Sequence, residues 1–259
     1  MRKEHTRTGG LFKVVGFCMI FAAATVLNAN AQTRQAVELI DGRDASAPAP
    51  LTVEETRFIV KEVRRQEPVI RQISGLDCEE DETSSLSVGS VIKGSFTKPN
   101  AEQKAYLYEL CRSGRAFGIG GIVVVEDGRV AAHYVYGENG LDSDIAALPD
   151  INRNGFSEIM MVGGGNGQGY TQGAVEIIEF TPGGVHTFGI ADTYEDNFGT
   201  EGGKKSARAF KVSVLPGKSP VFFREGYVRN GEQGKWTQTV KSEKFRLRLD
   251  YEPKWHKIS

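Results

Sequence analysis

The spacing of hydrophobic positions in this chain changes at about residue 90. Upstream, Phe58, Ile59 and Val63 fall on one helical face, with Glu, Lys and Arg opposite. Thr52-x-x-Glu55 in front of them is a capping-box pattern, whose side chains satisfy the free amides of a first helical turn. The spacing predicts a helix from about Val53 to Gln66, ending before Pro68, because proline lacks an amide hydrogen and clashes with the preceding turn. Arg57, Lys61, Arg64 and Arg65 are balanced by Glu54, Glu55, Glu62 and Glu67, which favours a packing helix over a nucleic-acid recognition helix.

Beyond residue 90, apolar runs of four to seven residues alternate with Gly, Asn and Asp turns, the pattern of strands. Ala105–Leu110, Gly121–Val125, Val130–Tyr136, Ile159–Val162 and Val175–Phe180 are the clearest. Glu126-Asp127-Gly128-Arg129 and Thr181-Pro182-Gly183-Gly184 have the composition of tight hairpin turns. A loose internal repeat runs through the region. Two four-strand units, roughly 91–137 and 144–193, each carry a strand entry, a polar turn, a second strand and a glycine-rich connection. Those connections, Gly114 to Gly121 and Gly163 to Gly169, read as flexible links; the second lacks the strand-to-helix context of a phosphate loop. A third set of strands is expected at Lys211–Leu215, Val221–Val228, Trp236–Val240 and Phe245–Tyr251. The fold class is therefore mainly β, with propeller-blade-like antiparallel units and one N-terminal helix.

Composition changes this picture mainly at the N-terminus. Arg2, Lys3, Arg7 and Lys13 precede an apolar run from Val14 to Leu27, and Ala29-Asn30-Ala31 follows. This is the pattern of a cleavable signal peptide over residues 1–31, too short in its apolar part for a spanning helix. The expected mature chain is exported to the periplasm or the exterior, with no membrane span. Residues 32–51, with Ala47-Pro48-Ala49-Pro50, read as a linker, and 52–89 as the helix followed by the acidic loop Glu79-Glu80-Asp81-Glu82. The remainder, 90–259, is the β domain. Cleavage removes Cys18 and leaves Cys78 and Cys111, an expected disulfide. Loop-closure entropy assigns such a bond about 3.7 kcal/mol as an upper guide.

The formal net charge of −1 conceals two opposite regions. Residues 32–202 hold 14 Lys and Arg against 27 Asp and Glu; residues 203–259 hold 14 against 5. Lys244, Arg246 and Arg248 alternate with apolar residues, which places three cations on one strand face as a weak anion-binding candidate. Docking of this basic end on the chain's own acidic part, or a strand edge kept charged against aggregation, is the stronger reading, and no nucleic-acid partner is expected.

One loop carries chemistry. Asp150-Ile151-Asn152-Arg153-Asn154-Gly155-Phe156-Ser157-Glu158 has oxygen-bearing side chains at positions 1, 3, 5 and 9 and glycine at 6. That spacing lets a short loop wrap a hard cation, with the Phe156 carbonyl as a further ligand. An EF-hand needs a carboxylate at position 12, where Met161 stands inside an apolar run. Strand, Asp-x-Asn-x-Asn-Gly-x-x-Glu, strand resembles the calcium-loop hairpin of the FG-GAP/VCBS repeats, which build integrin-type propeller blades. The resemblance covers roughly 90–195, and only the second unit carries the motif. It implies one structural calcium held by Asp150, Asn152, Asn154, Phe156 and Glu158. The family usually has Asp where Glu158 stands. Asx turns in a plain hairpin account for the same residues without a metal.

Other constellations are weak. His133, His186 and His256 form no metal-ligand motif, and no Gly-x-Ser-x-Gly elbow or P-loop occurs. The expected function is a non-enzymatic, calcium-stabilised binding or structural module of the cell envelope or exterior, meeting a protein or glycan partner. The alternative is a secreted carboxylate-based hydrolase of glycans with structural calcium; it requires two carboxylates to converge in an aromatic-lined cleft.

Overall fold

The computed structural model describes residues 35–44, 50–75, 86–113, 117–137, 144–249 and 254–258. The segment expected as a signal peptide and the acidic loop lie outside them. In chain order the elements begin with β1 (Val37–Asp41) and α1 (Val53–Ser74). β2 (Ser87–Gly94), β3 (Gln103–Ser113), β4 (Phe117–Glu126) and β5 (Arg129–Gly137) then form an antiparallel meander. β6 (Asp144–Ala147), β7 (Ile159–Gly167), β8 (Tyr170–Thr181) and β9 (Gly184–Asp196) form a second. β10 (Ser206–Leu215), β11 (Val221–Asn230) and β12 (Thr237–Phe245) extend the second sheet, and β13 (Lys254–Ile258) returns to pair with β5 in the first. The protein is mainly β, with two antiparallel sheets and one helix among the described residues; the sheets do not close into a propeller.

The helix starts where its cap requires. The Glu55 amide donates to Thr52 Oγ1 at 3.1 Å, and the Thr52 amide donates to the Glu55 carboxylate at 3.0 Å. Thr52→Ala is expected to cost about 1 kcal/mol, read as a lower midpoint in denaturant titration. The expected end before Pro68 is incorrect. α1 continues through Pro68 to Ser74 and stops at Gly75, whose left-handed φ of 66° terminates it. Burial of Ile70 beyond the proline and the Arg71–Glu67 ion pair at 2.8 Å stabilise the last two turns, offsetting the lost amide bond.

The small sheet is buried on both faces because its strands alternate two apolar sets. Tyr106, Tyr108, Val123 and Val135 face α1 through Ile59, Val63 and Ile70. Ala105, Leu107, Ile122, Val124 and Tyr134 face the large sheet through Ile145, Ile159, Met161, Ile178 and Phe180. A third core fills the far side of the large sheet with Ile151, Val175, Ile177, Val212 and Val214. The order of layers is helix, small sheet, large sheet.

The segment expected as a linker contains β1. Val37, Leu39 and Ile40 pack on the third core, which gives this short strand a reason to add to β10. β10 pairs with β9 only over Ala207–Ala209 and with β1 beyond it. Gly42 sits at this fork: its amide donates to the Phe210 carbonyl at 3.0 Å, and a Cβ there would lie 1.9 Å from the Thr193 carbonyl oxygen. Where two strands were expected at 236–240 and 245–251, β12 is a single strand, and the chain after it returns to β9. Ile190 and Arg248 exchange main-chain hydrogen bonds of 2.8 and 2.9 Å. Through that bridge β9–β12 curl around a cleft.

The glycine run expected as a flexible connection is strand over Gly163–Gly167, laddered from Ala174 to Tyr170 on β8. Main-chain bonds need no side chain, and Gln168 and Gly169 at φ of 51° and 83° make the two-residue turn.

Candidate functional site

Asp150–Glu158 closes the β6–β7 hairpin. The Leu148 amide donates to the Glu158 carbonyl at 2.8 Å, beside the last ladder pair, Ala147 and Ile159. Ile151 is fully buried in the third core and anchors the loop, with its carbonyl accepting from the Gly217 amide at 2.9 Å. On the other side the Ser157 amide donates to the Ser95 carbonyl at 2.9 Å, and the Ser95 amide donates to Ser157 Oγ at 3.1 Å. The loop therefore ties the turn after β2 to the large sheet. That turn stands at the equivalent place in the first unit and lacks the carboxylates.

The polar groups turn inward. Asp150 accepts from the Asn154 amide at 2.9 Å and the Gly155 amide at 2.7 Å. Asn152 Oδ1 accepts from the Asn154 amide at 3.1 Å, and Asn154 Oδ1 accepts from the Phe156 amide at 3.0 Å. Gly155 has φ of 94°, a conformation in which a Cβ is strained. These are successive Asx turns around Asp150, a compact oxygen-lined loop.

Two features lie beyond the sequence pattern. Glu179, on β8 and 3 % exposed, accepts from Asn152 Nδ2 at 2.6 Å and from Asn154 Nδ2 at 2.8 and 2.9 Å. By taking both amide nitrogens it directs both amide oxygens back into the loop. Nothing in the local motif marks Glu179; it lies 21 residues beyond Glu158, and only the β7–β8 register brings it there. The second feature is Glu158 itself. It is fully buried, and Oε2 accepts from the Ile151 amide at 2.9 Å. Oε1 is buried with no hydrogen-bond partner among the described residues. Burial raises the Glu158 pKa to about 7, against the Ile151 amide bond, and the charges of Glu179 and Asp150 push it the same way as burial.

The donor set fits a hard cation in part. Asp150, Asn152, Asn154 and Glu158 all carry oxygen donors on one loop, and the orphaned Oε1 is the kind of atom a cation satisfies. Among the described residues no three His, Cys, Asp or Glu side chains converge as a metal cluster by themselves. Amide oxygens and the Phe156 carbonyl have to complete the set.

The other expected residues lie away from this loop. Cys111 is buried on β3 against the helix, and Cys78 lies outside the described residues. Lys244, Arg246 and Arg248 are exposed and alternate with Phe245 and Leu247, which pack on the third core; β12 ends at Phe245, so only Lys244 lies within the strand. Arg248 pairs with Asp192 at 2.9 Å. Arg208–Glu195 at 3.0 Å and Lys211–Glu38 at 2.6 Å likewise join the basic end to the acidic part of the chain. His133 is buried beneath α1 and shares a 2.8 Å hydrogen bond with the Tyr108 hydroxyl. No helix among the described residues is long and apolar enough to cross a membrane.

No family model matches the chain, and neither a curated protein nor a solved structure matches it.

Proposed function

We propose that the chain is an exported, non-enzymatic β module of the cell envelope or exterior, stabilised by calcium in the 150–158 loop. Asp150, Asn152, Asn154, the Phe156 carbonyl and Glu158 hold the ion, and Glu179 orients the two amides without touching it. The observation that carries this reading is the buried Glu158 oxygen left without a partner beside Asp150 and Glu179. A buried carboxylate in that position destabilises a fold unless a cation or a proton compensates it. The bound ion would rigidify the joint between the β6–β7 hairpin and the turn at Ser95, a structural role. A Cys78–Cys111 disulfide is part of the same proposal.

Only two anionic side chains serve as ligands, which favours modest affinity. With a Kd on the order of 0.1 mM in roughly 1 mM calcium, the fold gains about 1.4 kcal/mol. For a chain of this size that raises Tm by about 3–6 °C. Thermal melts in calcium and in chelator read the shift directly. Asp150→Ala is expected to lose it entirely, and Glu179→Gln to reduce it. A wild-type midpoint that is the same in calcium and chelator removes the reading.

A further inference from the structure

The curl of β9–β12 leaves a cleft of about 940 Å³ on the large sheet, lined by none of the residues of the 150–158 loop. We infer that this cleft binds a neutral oligosaccharide. The inference rests on reading the chain as a binding module, but not on calcium.

The lining selects the ligand class. Its floor includes Gly163, Gly164, Gly165 and Gly173, so part of it is bare strand backbone. Three carboxylates line it, Glu176, Asp192 and Glu195, and three guanidiniums, Arg208, Arg224 and Arg248. The lining charges sum to zero, so the cleft exerts no net pull on a polyanion or a polycation. A lipid tail is disfavoured by six ionic groups. A peptide that adds as a strand needs free main-chain partners, and the floor's are used in the ladder Gly163 to Ala174, Gly164 to Gly173 and Gly165 to Gln172. A balanced lining of this kind suits a neutral ligand rich in both donors and acceptors, recognised through side chains. Vicinal hydroxyls of a sugar meet that description, since each pair can donate to a carboxylate and accept from a guanidinium.

The ion pairs are arranged for such exchange. Asp192–Arg248 at 2.9 Å and Glu195–Arg208 at 3.0 Å are about half exposed. Exposed pairs of this kind contribute little to stability, so redirecting one partner to a hydroxyl costs the fold little. Arg224 is held at 2.7 Å by Glu243 and lies over the Phe210 ring, 5.3 Å from its centroid, which fixes the guanidinium in the wall. Glu176, 8 % exposed, also lines the cleft and accepts from Thr187 Oγ1 at 3.3 Å.

The test is an array of immobilised neutral and anionic glycans probed with the intact chain, then calorimetry with the best neutral hit. Binding to a neutral glycan is expected, with affinity reduced at least tenfold in the double variant Asp192→Ala/Arg208→Ala. The exposed control Lys218→Ala should bind as wild type. Circular dichroism of the double variant verifies its fold, since both residues sit at the surface. Absence of any neutral-glycan binding overturns the inference. So does binding confined to anionic glycans with steep salt dependence, or binding that the double variant retains. Cleavage of the bound glycan would leave the site assignment standing and overturn the non-enzymatic reading. Repeating the titration in chelator separates the two proposals, because loss of the calcium reading leaves the cleft unchanged.

Discussion

Phe180→Ala is expected to cost about 3–5 kcal/mol and to lower the denaturation midpoint without removing secondary structure. Phe180 is on β8 of the large sheet and is 1 % exposed. Its ring stacks on Tyr134 of β5, with centroids 3.9 Å apart and planes within 7°. Trp255 of β13 approaches both Phe180 and Tyr136, at 6.2 and 4.7 Å between centroids. Three strands from two sheets thus converge on one aromatic cluster. Truncation opens a cavity that the surrounding ladders cannot collapse to fill, because both sheets are fixed by main-chain bonds. Phe180→Leu keeps most of the volume and should lose clearly less. Equal losses for the two variants would show that ring stacking, and not the cavity, dominates. A loss below about 1 kcal/mol for the alanine variant would mean that the sheets are held together elsewhere.

That cluster also shows which parts of the fold are visible in one dimension. Apolar runs such as Ala105-Tyr106-Leu107-Tyr108 and Ile122-Val123-Val124-Val125 have no polar face, and both faces of the small sheet are in fact covered. Strand identity was readable there because burial dictates residue type at every position. β13 is different: Lys254-Trp255-His256-Lys257-Ile258 has no regular alternation, and it is a strand because β5 supplies an edge. β1 escaped for the same reason, being specified by the fork between β9 and β10. Pro68 misled because propensity is local, while the burial of Ile70 depends on a sheet that lies later in the chain. In the loop, the spacing of Asp150, Asn152, Asn154 and Glu158 was visible because those residues are neighbours. Glu179 was not, since it reaches them through the β7–β8 register. The cleft was equally hidden: its carboxylates and guanidiniums come from β8, β9, β10, β11 and the segment after β12, brought together by the bridge of Ile190 with Arg248.

Glu158→Gln should change how stability depends on pH, by about 3 kcal/mol across the acid range. In the folded chain without a cation, Glu158 has a pKa of about 7 against an ordinary 4.5, raised by burial and by Glu179 and Asp150. Folding therefore takes up a proton between pH 4.5 and 7. This group's contribution is fully present below 4.5 and lost as pH rises through 7, about 3 kcal/mol in all. His133 works in the opposite direction. Burial beneath α1 lowers its pKa from 6.5 to about 4, with Glu62 and Arg65 acting as smaller opposing charges. The unfolded chain binds a proton there that the folded chain refuses, so stability falls as pH drops from 6.5 to 4, again by about 3 kcal/mol. Between 4.5 and 6.5 the two slopes oppose and nearly cancel. Glu55, held near 2 chiefly by its bond from Lys104, acts only below 4.5 and leaves this window alone. Chemical denaturation of the wild type in chelator should then give an almost flat profile from 4.5 to 6.5. Glu158→Gln removes one slope and exposes the other, so the variant loses stability steadily toward acid. Calcium should have the same effect on the wild type, because a bound cation holds Glu158 ionised and penalises its protonation. Parallel profiles for wild type and Glu158→Gln in chelator would show that this carboxyl does not titrate with folding, and the orphaned oxygen would lose its claim as the site of a cation.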